Sequence, residues 1–166
     1  MIFLFWGCFS EISPKTERPP YLLPSILRSA LRMKPQEHAG KFSIEIRVTP
    51  QEIDALGHVN NVVYLRWVQE VSAAHWAQVA PPRVQEKFLW VVLRHEIDFH
   101  KPAFLQDTVT GYTWVGEHQG AKFERFVSLY RTATGELLAA AKTVWCLLDA
   151  QTLRPRRIEQ ELLRLL

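Results

Sequence analysis

The stretch Asp54-Ala55-Leu56-Gly57-His58-Val59-Asn60-Asn61 puts a carboxylate, an imidazole and two amide side chains into one short loop, directly ahead of an apolar run that starts at Val62. Asn60 has the type and place of a helix N-cap, because its side-chain oxygen can accept from a main-chain amide two or three residues ahead. The amides of Asn61 and its neighbours are then the unpaired donors of a first helical turn, at the positive end of the helix dipole. Such donors polarise a carbonyl and hold the oxyanion that forms when it is attacked. Asp54 lies too far upstream to be that cap. A carboxylate left over beside an oxyanion site is what an acyl transfer or a hydrolysis needs.

The other residues of the loop have both chemical and structural uses. Gly57 allows a backbone conformation, or a close substrate approach, that a side chain would block; its plain alternative is a turn glycine. His58 can orient Asp54, bond a substrate or position water, and its ring titrates near neutrality; a purely structural histidine is the alternative. Asn61 matters for its amide, whereas Asn60 reads as a cap. Tyr64, one turn into the helix, either lines a pocket or packs against the sheet. Arg94, His95, His100 and Lys101 follow one another closely enough to approach phosphates, with surface charge as the alternative.

These side chains are positioned by a simple series of elements. Phe42, Ile44, Ile46 and Val48 alternate with Ser43, Glu45 and Arg47, the period of a half-buried strand over Phe42 to Val48. Pro50 ends it. From Asn61 to about Val79 most residues are apolar or small, which predicts a helix roughly 28 Å long at ~1.5 Å per residue. Its apolar character is not confined to one stripe, so it is expected to be largely enclosed. Pro81-Pro82 closes it. Four strands follow, Phe88 to His100, Thr108 to Glu117, Lys122 to Thr132 and Leu137 to Asp149, with turns at Gly116 to Gly120 and Thr134-Gly135-Glu136. One helix with a strand before it and four after it makes an α+β domain with an antiparallel sheet. A short amphipathic tail, Ile158 to Leu166, predicts a final helix.

The form D-x-x-G-H-V-N-N-x-x-Y over Asp54 to Tyr64 resembles the active-site loop of hotdog-fold acyl-CoA thioesterases of the 4-hydroxybenzoyl-CoA thioesterase-like family. The similarity continues through Glu96-Ile97-Asp98-Phe99-His100-Lys101-Pro102-Ala103, Asp107-Thr108-Val109 and Leu148 to Pro155, and covers most of the chain from about Lys41 onward. The resemblance implies a five-stranded antiparallel sheet wrapped around a long central helix, and assembly as a homodimer or homotetramer with the active site between subunits. It implies an acyl-CoA substrate cleaved to free acid and coenzyme A without metal or cofactor. Asp54 would act as nucleophile or as general base, with His58 also catalytic, and Gly57, Asn60, Asn61 and Tyr64 would form the oxyanion and substrate-binding surroundings. Some relatives carry the catalytic acid further along the helix, which makes Glu70 a reserve candidate. Plant acyl-ACP thioesterases have a similar loop with asparagine two residues before the histidine, where this chain has Leu56. An acyl-ACP thioesterase and a non-catalytic acyl-CoA binding module are the alternatives.

At 166 residues, 48% hydrophobic and 22% charged, the chain has the length and composition of one globular domain. The division expected is an N-terminal extension (1–40), a hotdog domain (41–155) and a C-terminal helix (156–166). The extension carries a short apolar start followed by a stretch with Pro14, Pro19, Pro20 and Pro24. It is read as disordered or as the product of a mis-assigned start, with Met33 as the true one. A weak membrane-surface anchor is the third reading; the apolar start is far shorter than the ~20 residues of a membrane span. A formal charge of +3 suits a polyanionic ligand such as coenzyme A. Scattered Lys and Arg with no basic run argue against nucleic acid. Six dispersed histidines and two separated cysteines argue against a metal site, and the absence of a Gly-x-Ser-x-Gly elbow argues against an α/β-hydrolase. Cys8 and Cys146 are expected to stay reduced, in the cytoplasm.

Overall fold

The structure, a computed structural model, describes His38 and residues 40–166. Strand β1 (Phe42–Arg47) leads through a single 3-10 turn (Pro50–Glu52) and the Asp54 loop into helix α1 (Asn61–Val79). A one-turn helix α2 (Pro82–Gln85) follows, then strands β2 (Phe88–Phe99), β3 (Thr108–Gln119), β4 (Lys122–Arg131) and β5 (Glu136–Asp149), and a last turn of helix, α3 (Gln160–Leu163). Every strand pair is antiparallel, and the five form one sheet in the order β1-β3-β4-β5-β2. The fold is therefore α+β, a sheet curved around one long helix, the arrangement a hotdog fold requires.

Helix α1 is held on the sheet by one stripe. Tyr64, Trp67, Val68, Val71, Ser72 and His75 are buried, at the three- and four-residue spacing of a single helix face. Tyr64, Trp67, Val68 and Val71 meet Val109, Val127, Leu129, Ala139 and Ala141 from the three central strands. Each fully buried large apolar side chain contributes about 1.5–3 kcal/mol. Gly111 lets the helix come close, since a Cβ there would lie 2.5 Å from a methyl of Val71. The expectation of a largely enclosed helix is corrected: Val62 is 74% exposed, and Gln69, Glu70, Ala73 and Ala77 face outward. Small and apolar residues on the outer flank raise the apolar count without being buried in the single chain.

Other boundaries shift for local reasons. Pro82 does not simply end a helix; it occupies the first turn of α2, where its missing N–H costs nothing. Gly116 lies inside β3 at a bulge between Val115 and His118, where a Cβ would come within 2.6 Å of the Phe126 ring, and the turn itself falls on Gly120 (φ +62°). The tail forms a helix only over Gln160–Leu163. Ile158 and Leu162 nonetheless pack with Phe123 and Leu147 and close one end of the core.

Within the stretch read as an extension, His38 is packed: it stacks on Tyr112 at 4.8 Å and its Nε2 lies 3.1 Å from the Tyr130 hydroxyl. Both tyrosines belong to the sheet face turned away from α1. Met33 and Cys8 lie outside the described residues. Cys146 is a buried free thiol. No described helix is long and apolar enough to cross a membrane.

Candidate active site

The Asp54 loop is a miniature hairpin. Ile53 and Val59 form an antiparallel bridge. Within it the Asp54 amide donates to the His58 carbonyl at 2.9 Å and the Gly57 amide to the Asp54 carbonyl at 3.0 Å. Gly57 has φ +82°, a left-handed conformation in which any side chain would be strained. The loop is fixed at both ends. Val59 donates to the Ala103 carbonyl, and Asn60 to the Glu52 carbonyl, each at 2.9 Å.

This frame sets the side chains. One oxygen of Asp54 accepts from the Leu56 amide at 2.8 Å; the other lies 3.5 Å from Nδ1 of His58. Both side chains are mostly but not fully shielded, with 23% and 17% of their surfaces exposed. Asn60 caps α1, its side-chain oxygen accepting from the Val62 amide at 3.0 Å, which commits that side chain. The amide of Asn61, by contrast, takes no hydrogen bond among the described residues. The loop therefore presents a carboxylate facing an imidazole close before an open amide at the positive end of a helix.

Tyr64 is buried at 2% exposure, and its hydroxyl accepts from the Ala103 amide at 2.7 Å. Burial raises its pKa above the ordinary phenol value, so the group stays neutral and ties the loop after β2 to α1. A shallow crevice beside the loop is bordered by His58, Asn61, Tyr64, Phe99, Lys101 and Pro102. It joins four of the residues named from sequence, His58, Asn61, Tyr64 and Lys101.

Other named residues stand apart. Arg94 pairs with Glu96 at 3.0 Å and is largely exposed. His95 bonds Thr143 through Nδ1 at 2.8 Å, and burial lowers its pKa, which leaves it a poor phosphate ligand. Of the four cationic candidates, Lys101 alone borders the crevice. Glu70 pairs with Arg66 at 3.3 Å on the open flank of α1. Among the described residues no three His, Cys, Asp or Glu side chains converge as metal ligands.

Sequence reading missed Glu52. It is a 6% exposed carboxylate that accepts from the Thr49 amide at 2.7 Å, from Trp67 Nε1 at 3.2 Å and from the Arg66 guanidinium. The available signal was the Thr49-x-x-Glu52 capping-box spacing, which marks the start of the 3-10 turn.

Comparisons with known proteins bear on this geometry. A family model described as the thioesterase-like superfamily matches residues 48–166. No curated protein sequence matches the chain significantly. Among solved structures, a 1,4-dihydroxy-2-naphthoyl-CoA thioesterase from Synechocystis superposes with a TM-score of 0.66 at 18% identity, covering 76% of this chain and 95% of its own. A probable thioesterase from Escherichia coli gives 0.64 at 23%, with 74% and 94% covered. A Staphylococcus aureus protein solved in complex with CoA gives 0.67 at 14%, with 75% and 80% covered. At these identities the likeness carries the fold.

Proposed function

The chain belongs to the thioesterase-like superfamily, and from that premise we propose that it hydrolyses an acyl-CoA thioester to a free carboxylic acid and coenzyme A. The observation that supports this most is the Asp54 carboxylate facing His58, with the open Asn61 amide following at the start of α1. A thioester carbonyl at the Asn61 amide would have its oxygen polarised by the helix terminus. Asp54 then either attacks the carbonyl carbon or draws a proton from an attacking water. Collapse of the oxyanion expels the coenzyme A thiolate. With water as the attacking group this yields the free acid directly; with Asp54 as the attacking group it leaves a mixed anhydride that a water then hydrolyses to the free acid and the Asp54 carboxylate. Nδ1 of His58 lies 3.5 Å from the Asp54 oxygen that the Leu56 amide leaves free, and Lys101 borders the crevice as a cation for a phosphate-bearing substrate. Binding of the nucleotide portion, remote from the bond that breaks, would fix the thioester in place.

The catalytic unit is read as residues 41–155, with 156–166 sealing the core, and as working in a homodimer or homotetramer. Leu89, Val91 and Leu93 are 43%, 37% and 52% exposed along β2, a strand at the edge of the sheet, and a second copy would cover them. The test is thiol release from short, medium, long and aromatic acyl-CoAs, beside the same acyl groups carried on acyl carrier protein. Release from CoA esters supports the reading. Release from the carrier protein alone makes the chain an acyl-ACP thioesterase, and tight CoA-ester binding without release makes it a binding module.

A further inference from the structure

We infer that Glu52 and Arg66 are a positioning pair for the Asp54 loop: Glu52 fixes the loop to the helix, and Arg66 cancels the charge that Glu52 brings beside the oxyanion site. The inference rests on Asp54 being the catalytic acid.

Glu52 ends the 3-10 turn two residues before Asp54. Its carboxylate and carbonyl together hold the Thr49 amide, the Asn60 amide, the Trp67 indole and the Arg66 guanidinium. One residue thus clamps the chain before the loop, the cap after it and the second turn of α1. Asp54 and the Asn61 amide keep their spacing because both hang from this clamp. The clamp also carries a hazard. Hydrolysis develops negative charge at the start of α1, and a buried carboxylate nearby opposes it. Arg66 removes that opposition, and it is held in place from its other side by Glu70 at 3.3 Å. A buried carboxylate stripped of its partner is strongly destabilising, whereas removing both charges together is much less so.

The test uses the full chain with its preferred acyl-CoA and four variants: Arg66→Gln, Glu52→Gln, the double Glu52→Gln/Arg66→Gln, and Asp54→Asn as reference. Each is characterised by kcat, KM, the acid limb of the kcat profile and a thermal melt. Arg66→Gln is expected to lower kcat about 10- to 100-fold with KM within a few-fold, and to move the acid limb to higher pH, because the uncompensated Glu52 opposes ionisation of Asp54. In Glu52→Gln the limb moves to lower pH. The double variant recovers most of kcat and returns the limb. His58 on the loop and Lys101 across the crevice are the same in every variant, and Glu70, which loses Arg66 both in Arg66→Gln and in the double variant, cancels when those two are compared, so the difference between them reports Glu52.

Losses of kcat that only follow the melting temperature, or a double variant no better than Arg66→Gln, would overturn the proposal. Where Arg66→Gln does not fold, a limb that stays put in Glu52→Gln does the same. An Asp54→Asn enzyme as active as the wild type would remove the reading beneath it; an inactive one with no recovery in the double variant would remove only the positioning pair.

Discussion

Asp54 divides its carboxylate between two tasks, one oxygen closing the turn onto Leu56 and the other turned to His58. The turn-capping reading and the chemical reading of a loop aspartate are thus compatible. Tyr64, read either as pocket lining or as packing against the sheet, borders the crevice while its hydroxyl is committed to the Ala103 amide. Tyr64→Phe leaves that buried amide without its acceptor and is expected to cost about 1–3 kcal/mol of stability. In a denaturant titration paired with kinetics, the midpoint should fall while kcat of the folded enzyme changes little; a large loss of kcat at unchanged stability would give the hydroxyl a role at the substrate. The loop was legible because Asp54, Gly57, His58, Asn60 and Asn61 are local in sequence. Glu52 was not, because two of its partners, Arg66 and Trp67, lie 14 and 15 residues further on and meet it only when α1 is in place.

Strand β1 was legible from the alternation of Phe42, Ile44 and Ile46, and α1 from the Asn60 cap and the prolines beyond Ala80. The packing between helix and sheet was less so. Arg125 on β4 is buried under α1, where it donates to Nδ1 of His75 at 2.9 Å and to the Thr113 hydroxyl at 3.1 Å. Nothing in the local sequence marks this contact, since His75 and Thr113 lie 50 and 12 residues from Arg125 and meet it only in the folded chain. Burial, and then the charge of Arg125, lowers the pKa of His75 to about 4. In the unfolded chain that ring titrates near 6.5. As pH falls below about 6.5 the unfolded state takes up a proton that the folded state refuses until about 4. The His75 contribution to stability is therefore full above that window, falls through it and levels off below it. Unfolding free energies at pH 7.5, 5.5 and 4 should show this decline, and His75→Gln, whose amide oxygen can still accept from Arg125, should show a smaller one. An equal decline in both would contradict the assignment.

At the scale of the whole molecule, the single chain leaves one flank of α1 and the outer residues of β2 uncovered, a pattern that suits a sheet extended by a second copy. Val91→Glu, placed on the exposed face of that edge, is expected to move the protein toward monomer in light scattering and to reduce thiol release with it. A variant that keeps both the mass and the activity of the wild type would take β2 out of the assembly. Whatever the assembly, the claim at the centre is that hydrolysis depends on one carboxylate in the Asp54 loop. The most direct measurement is thiol release from the best acyl-CoA by the full chain and by Asp54→Asn, which keeps the acceptor for the Leu56 amide and removes the charge. A fall in kcat of about 100-fold or more, with the fold intact, is expected. Equal kcat in the two proteins would contradict it and send the search for the acid to Glu70.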